Sequence, residues 1–290
     1  MVTPVTLDGR LDAPAVDQLV DFLVAGGVDG IFVMGTTGEG SSIPLIYRRR
    51  LVEQAVARAN GRVKVYAGIG DAHPAEAAAG NDYLRAGVNA LVSRPPVALP
   101  ASQVLPWYRA LLDALDGPLL LYNMPMTTKV SIPLDAIESL LAHPRLAGIK
   151  DSENSAPRME ELLKRFGGRP NFSVFVGVGA LMENGLKLGA DGIVPSVGNL
   201  IPDVCHGLCA AARKDKWPEA ETFYARMNAV SALYQKGRTL NESLSVLKAA
   251  MSCRGLCSPQ VLPPLKPLSE AQLEKLRHEM ERLHLLNGKG

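Results

Sequence analysis

The sequence predicts an α/β fold, a (β/α)₈ TIM barrel with a C-terminal helical extension. Short apolar runs alternate with longer helical segments over residues 1–200, which is typical of strand-helix-strand units in a parallel sheet. Glycine-containing turns close several of these helices. Beyond residue 200 only helical patterns follow. We therefore predict the barrel core at residues 1–200 and the last barrel helix with the helical extension at residues 201–290.

Eight apolar runs are predicted as strands. They are Met1–Val5, Gly30–Met34, Val63–Ala67, Ala90–Ser93, Pro118–Tyr122, Leu146–Lys150, Ser173–Val176 and Gly192–Val194. The turns Ala25–Gly30, Ala86–Ala90 and Gly189–Gly192 lead into three of them, because glycine accepts the left-handed geometry that ends a helix. A doubly wound open sheet fits the same alternation. Eight units favour closure into a barrel, and no G-x-G-x-x-G motif follows a strand.

Helices are predicted between the strands, and proline or a capping residue opens several of them. These helices are Ala13–Ala25, Leu45–Ala59, Pro74–Ala86, Ser102–Leu115, Pro133–Ala142, Arg158–Phe166 and Leu181–Leu188. Four more follow the last strand, at Pro202–Arg213, Pro218–Lys236, Leu240–Met251 and Ser269–Leu286. The segment Cys257–Pro267 contains four prolines, so it is predicted to be an extended connection.

Composition excludes several classes of protein. The 31 basic and 29 acidic residues give a net charge of +2, which is too even for a nucleic-acid binder. No apolar run approaches the roughly 20 residues that a membrane span needs. The N-terminal residues lack the pattern of a secretory signal, so we expect a cytoplasmic protein. Four cysteines at i, i+4 spacings (Cys205, Cys209, Cys253 and Cys257) could ligate a metal, but buried thiols are the favoured interpretation, and we expect no metal and no organic cofactor.

Three predicted strand ends carry groups suited to chemistry, and barrel enzymes place their reactive groups at such ends. Lys150 ends one apolar strand, and an amine shielded from water can attack a ketone to form a Schiff base. Tyr122 ends the preceding strand and could carry protons. The Gly35–Gly40 loop, with Thr36 and Thr37, could bind a carboxylate ahead of a helix. Each group alone has an ordinary structural explanation, but together they suit a 2-oxo acid.

These motifs resemble the class I aldolases and lyases grouped around dihydrodipicolinate synthase and N-acetylneuraminate lyase. The resemblance rests on Gly-Thr-Thr-Gly-Glu at 35–39, Tyr-Asn-Met-Pro at 122–125 and Gly-Ile-Lys-Asp-Ser at 148–152. It implies that Lys150 forms an imine with pyruvate or a pyruvoyl substrate. It also implies that Tyr122 relays protons and that Thr36 and Thr37 hold the carboxylate, with Thr37 hydrogen-bonded to Tyr122. The remaining implications are an imine pocket lined by Gly177 and Val194, and a homotetramer.

Two departures from the family pattern bear on the substrate. The synthases carry an arginine two residues after the proline of the tyrosine motif, whereas Met126 and Thr127 follow Pro125 here. This favours a 2-keto-3-deoxy sugar acid or similar hydroxy-oxo acid as substrate over aspartate semialdehyde. The family's Pro-Tyr-Tyr is replaced by the sequence at 93–96, Ser-Arg-Pro-Pro, so the proton relay is incomplete. A catalytically altered, ligand-binding member stays an alternative. Arg94 is either a substrate-carboxylate contact brought across an interface or a solvated loop residue.

Overall fold

The computed structural model describes residues 1–70 and 77–286 and confirms an α/β fold. Seven strands lie in the described residues. They are β1 (Gly30–Val33), β2 (Lys64–Gly70), β3 (Ala90–Ser93), β4 (Leu119–Asn123), β5 (Leu146–Asp151), β6 (Ser173–Val176) and β7 (Gly192–Ile193). Each lies within three residues of a predicted strand at both ends. The first predicted strand, Met1–Val5, differs, as described below.

Apart from the short helix Pro125–Thr128, which was not predicted, the helices follow the predicted segments closely. They are α1 (Ala13–Ala25), α2 (Leu45–Ala59), α3 (Ala77–Arg85), α4 (Ala101–Ala114), α5 (Pro125–Thr128), α6 (Leu134–Leu140), α7 (Ala156–Phe166), α8 (Met182–Lys187), α9 (Pro202–Ala212), α10 (Trp217–Gln235), α11 (Leu240–Cys253) and α12 (Glu270–Arg282). The predicted start of the third helix at Pro74 lies outside the described residues. Two of the C-terminal helices begin with a capping box, Thr239 with Glu242 and Ser269 with Gln272.

Contacts divide the chain into two compact units. The terminal unit contains Met1–Val63, Ser196–Leu208 and the chain from Trp217 to the last described residue. The central unit contains the described residues of Lys64–Pro195 together with Cys209–Lys216. The domain boundary at residue 200 and the closure of the sheet into a barrel both remain predictions.

Strands β2 to β7 form a parallel sheet in the central unit, and each strand pairs with the next one along the chain. All five residues of β4 are buried, as expected for a parallel strand covered on both faces. The register pairs Tyr122 of β4 with Lys150 of β5, and Lys150 with Phe175 of β6. The carboxyl ends of these strands therefore lie side by side.

The predicted strand at Met1–Val5 is wrong. This segment, in the terminal unit, forms only an isolated antiparallel bridge between Val5 and Leu11. The Val2 amide donates instead to the Asn199 side chain, at 2.9 Å, and Pro4 has no N–H to donate. Because the Val2 amide is already bonded and Pro4 has no amide hydrogen, the segment lacks two donors that regular strand pairing would use.

Candidate active site

Tyr122 and Lys150 meet at the carboxyl ends of β4 and β5. The Lys150 Nζ lies 4.3 Å from the centroid of the Tyr122 ring. Tyr122 is buried, and Lys150 is partly buried. The amine is therefore held against the face of an aromatic ring, which attracts cations, and is not extended into bulk water. The sequence-based expectation that adjacent strand ends bring these two side chains together is confirmed.

Gly177 lies beside this pair, at the end of β6. Its amide donates to the Asp151 carbonyl at 2.7 Å, which extends the β5–β6 pairing by one residue. A Cβ at this position would collide with Ser152 Oγ and lie 3.0 Å from Lys150 Cε. Glycine is therefore the residue that leaves room for the Lys150 side chain. Val194 follows β7, and its amide donates to the Val176 carbonyl at 2.9 Å.

A cluster of polar side chains, which we call the carboxylate cluster, starts from the two residues that follow the phenol and the amine in their strands. It consists of Asn123, Asp151, Glu153 and Arg158. Asn123 Nδ2 donates to Asp151 Oδ2 at 2.9 Å and to Glu153 Oε2 at 3.0 Å. Arg158 Nε lies 3.0 Å from Asp151 Oδ2 and 3.2 Å from Glu153 Oε2. One amide and one guanidinium therefore hold both carboxylates.

The carboxylate cluster fixes the two strand ends that carry the reactive groups. Asn123 directly follows Tyr122, Asp151 directly follows Lys150, and the two are paired in register. Burial raises the pKa of Asp151 above its usual value, while the neighbouring Arg158 guanidinium acts in the opposite direction. Because Asp151 is 6% exposed and Asn123 fully buried, the connection between the strand ends is shielded from water.

The carboxylate cluster was not predicted from the sequence. A signal was present, since Asn123 and Asp151 are polar residues that continue otherwise apolar strands. The partner Arg158 could not be found from sequence, because it reaches Asp151 from the first turns of α7.

Replacing Arg158 by methionine should destabilise the protein by about 3–5 kcal/mol at neutral pH, because it leaves two carboxylates together without their cation. The pKa of Asp151, already raised by burial, should rise further in the folded variant. The folded variant then binds more protons than the unfolded chain, so its stability relative to wild type should recover as pH falls toward 5. Urea unfolding across this pH range measures the effect.

The matched control is Arg165→Met on the same helix. Arg165 also contacts two carboxylates, Asp135 and Glu138, but both of these side chains are exposed. Its loss should cost about 1 kcal/mol or less, with little dependence on pH. Equal losses in the two variants would contradict a structural role specific to the carboxylate cluster.

The threonine loop, residues 35–40, belongs to the terminal unit. The Gly40 amide donates to the Gly35 carbonyl at 3.1 Å, and Glu39 N donates to the Thr36 carbonyl at 3.1 Å. The loop therefore folds back on itself as a tight turn, with Glu39 at a φ of 56°. Thr36 and Thr37 are both partly exposed on this turn. The hydrogen bond expected between Thr37 and Tyr122 remains a prediction.

Glu39 anchors the threonine loop within the terminal unit. Its Oε1 accepts from Lys248 Nζ at 2.7 Å, and its Oε2 accepts from the Leu262 amide at 2.6 Å. Both charged side chains are buried, with exposures of 3% and 1%. Lys248 lies on α11, whose residues from Ser243 to Met251 are all buried. The sequence motif contained Glu39, but its partner stands 209 positions away and was not predicted.

Reactive groups at the carboxyl ends of parallel strands, covered by helices, define the class of α/β enzymes. Known protein sequences narrow this class of α/β enzymes to one family. The chain belongs to the dihydrodipicolinate synthetase family, whose model matches residues 1–283. The resemblance inferred from the three motifs is confirmed.

Three relatives are informative. The 4-hydroxy-tetrahydrodipicolinate synthase of Thiobacillus denitrificans is 32% identical over 99% of this chain and 96% of its own. The probable 2-dehydro-3-deoxy-D-pentonate aldolase YjhH of Escherichia coli K12 is 30% identical over 93% and 90%. The crystal structure of E. coli YagE in complex with pyruvate has a TM-score of 0.90 at 28% identity, covering 98% of this chain and 96% of that one. These names confirm the expected class, a carbon–carbon lyase or aldolase.

The described residues also bear on metal ligands, cysteine pairing and membrane-spanning helices. Within 1–70 and 77–286, no group of three or more His, Cys, Asp or Glu side chains is arranged to hold a metal ion. None of the four cysteines forms a disulfide, and Cys205 and Cys209 are buried. No described helix combines the length and apolar character needed to cross a bilayer.

Proposed function

We propose that this protein is a pyruvate-dependent class I aldolase or lyase that cleaves or forms a 2-keto-3-deoxy sugar acid or similar hydroxy-oxo acid. The observation that carries the proposal is the amine of Lys150 held against the Tyr122 ring at two neighbouring strand ends. A relative named as an aldolase for such an acid, and a family structure in complex with pyruvate, support the same reaction class.

In this proposal Lys150 is the nucleophile. Its Nζ attacks C2 of the 2-oxo acid, and loss of water gives a protonated imine. The bond between C3 and C4 then breaks, and its electron pair moves into the imine to form an enamine. The C4 hydroxyl loses its proton as the aldehyde leaves. Protonation of the enamine at C3 and hydrolysis of the imine by water release pyruvate and restore the amine.

Tyr122 is the proposed proton carrier, accepting the proton of the substrate hydroxyl or passing it on. Gly177 and Val194 are proposed to line the pocket around the imine, and Gly177 already leaves the space that Lys150 occupies. Thr36 and Thr37 are proposed to hold the substrate carboxylate, a role that rests on the family resemblance. The reaction as written needs no metal and no organic cofactor.

The family resemblance supports two further proposals. We propose that the parallel sheet belongs to a closed (β/α)₈ barrel with a C-terminal helical extension, and that the protein is a homotetramer. We also propose that it acts in the cytoplasm.

A second candidate is the condensation of pyruvate with aspartate semialdehyde. The relative from T. denitrificans carries the name of that synthase, which favours this candidate. The absence of the arginine two residues after Pro125 disfavours it, because Thr127 occupies that position. A third candidate, a ligand-binding protein that has lost turnover, is motivated by Pro95 and Pro96.

Borohydride trapping tests the proposal. The protein is incubated with pyruvate, reduced and digested, and the peptide containing Lys150 is analysed by mass spectrometry. We expect a covalent pyruvate adduct on Lys150, and its absence would remove all Schiff-base mechanisms. Pyruvate release from 2-keto-3-deoxy acids, compared with consumption of aspartate semialdehyde, separates the first two candidates. An adduct without any turnover identifies the third.

Replacing Tyr122 by phenylalanine should lower turnover by roughly 10²-fold or more, because the ring is kept while the proton carrier is lost. The borohydride adduct should still form if the phenol acts mainly after the imine. Steady-state rates and trapped adduct are measured on the same preparation. Near-normal turnover would assign proton transfer to another group.

A further inference from the structure

Arg94, which directly follows β3, has a buried guanidinium nitrogen without a protein partner. Its Nε is inaccessible to solvent and forms no hydrogen bond with any described residue. A buried donor of a charged group that lacks an acceptor costs free energy, which an anionic ligand can offset. Arg94 as a whole is partly exposed, and its Nε is the part of the side chain that is shielded from water.

The sheet register places Arg94 level with the reactive pair. Ser93 is paired with Leu121, and Tyr122 is paired with Lys150. The Arg94 amide donates to the Gly70 carbonyl at 3.0 Å, so its backbone continues the strand pairing by one residue. Arg94, Tyr122 and Lys150 thus occupy equivalent positions at the ends of three consecutive strands.

The backbone that carries Arg94 is held in place. The buried Tyr108 hydroxyl donates to the Ser93 carbonyl at 3.0 Å. The Ala98 amide donates to the Thr128 carbonyl at 2.8 Å, which joins the segment after β3 to the segment after β4. The segment that carries Arg94 is therefore fixed to the segment that follows Tyr122.

We propose that Arg94 binds a carboxylate at the aldehyde end of the substrate, so that the enzyme acts on hydroxy-oxo dicarboxylates. A guanidinium offers a planar pair of donors that matches a carboxylate, and one positive charge neutralises one carboxylate. A neutral polyol end offers hydroxyl acceptors to the Nε but no negative charge to pair with the guanidinium. This inference rests on the proposed function, and of its two substrate classes it selects the hydroxy-oxo acids with a second carboxylate over the sugar acids. In the synthetic direction, the partner of pyruvate is an aldehyde bearing a carboxylate.

The test compares aldehydes of matched length with pyruvate as the common donor. Glyoxylate is paired with glycolaldehyde, and succinic semialdehyde with butyraldehyde. The kcat/KM ratio of the charged to the uncharged partner is measured for wild type and for Arg94→Gln. Loss of a charge-assisted hydrogen bond should lower this ratio by about 10–10²-fold. Arg94→Lys, which keeps the charge without the planar pair, should give an intermediate ratio.

The control is Arg109→Gln, an exposed arginine on α4. The ratio should be unchanged in this variant. If thermal unfolding shows that Arg94→Gln does not fold, Arg94→Lys is used instead. Its kcat/KM ratio of charged to uncharged aldehyde should then be lower than that of wild type.

Three outcomes overturn the inference. The first is an unchanged kcat/KM ratio in the folded Arg94 variants. The second is loss of the borohydride adduct in Arg94→Gln, which would place Arg94 on the pyruvate carboxylate. The third is an Arg94-dependent preference for glyceraldehyde 3-phosphate over glyceraldehyde that is larger than the preference for the carboxylate-bearing aldehydes. Failure of the proposed function is distinct, because the wild-type protein would then form no adduct with pyruvate.

Discussion

Replacement of Lys150 by arginine should abolish the pyruvate adduct and lower turnover by at least about 10³-fold. Arginine keeps the positive charge and much of the length of the side chain, but its guanidinium stays protonated and does not form an imine. Loss of activity in this variant therefore reports the missing nucleophile and not a missing charge. Single-turnover rates and borohydride trapping are the measurements.

Lys129→Arg is the matched control for this prediction. Lys129 lies just after α5, is exposed, and donates from its Nζ to the Met126 carbonyl. The same change at Lys129 should preserve both the adduct and the rate. If Lys150→Arg retained a reducible adduct, the nucleophile would have to be another amine.

Lys248→Met should destabilise the protein by about 3–5 kcal/mol, the second large effect. The substitution keeps the buried volume but leaves the Glu39 carboxylate without its cation in a site with almost no exposure to water. Urea or thermal unfolding measures the loss. Because Glu39 also accepts from the Leu262 amide, the threonine loop should lose order together with stability.

A double variant distinguishes the pair from its individual members. Lys248→Met combined with Glu39→Gln removes both charges, so it should be more stable than Lys248→Met alone. Arg49→Met is the control within the terminal unit, because the Arg49–Glu53 pair is exposed. That change should cost about 1 kcal/mol or less. A cost for Lys248→Met no larger than this would show that the buried pair contributes little.

Local patterns predicted most of the secondary structure. The strands Ala90–Ser93 and Ser173–Val176 and the helices Ala13–Ala25 and Leu45–Ala59 agree with the structure residue for residue. Their apolar periodicity and capping residues act over a few positions, which a sequence displays directly. The segment Met1–Val5 was mispredicted because its fate depends on Asn199, a distant hydrogen-bond acceptor.

In the candidate site, the residues at the strand ends were predicted, but the side chains that contact them from the helices were not. Lys150 and Tyr122 are neighbours because consecutive parallel strands end at one edge, which is a rule of topology. The partners of Asp151 and Glu39 could not be predicted. Arg158 and Lys248 reach them from helices, and side-chain contacts of that kind depend on how the helices pack.

The anchoring of Glu39 has a consequence for synthesis of the protein. Glu39 is translated early, but the Leu262 amide that it accepts from lies 223 positions later. At roughly 5–20 residues per second, the ribosome needs on the order of 10–45 s to cover that distance. The threonine loop cannot reach its final arrangement during this interval, and Glu39 stays hydrated on the growing chain. The threonine loop therefore matures only after the segment that contains Leu262 has been synthesised.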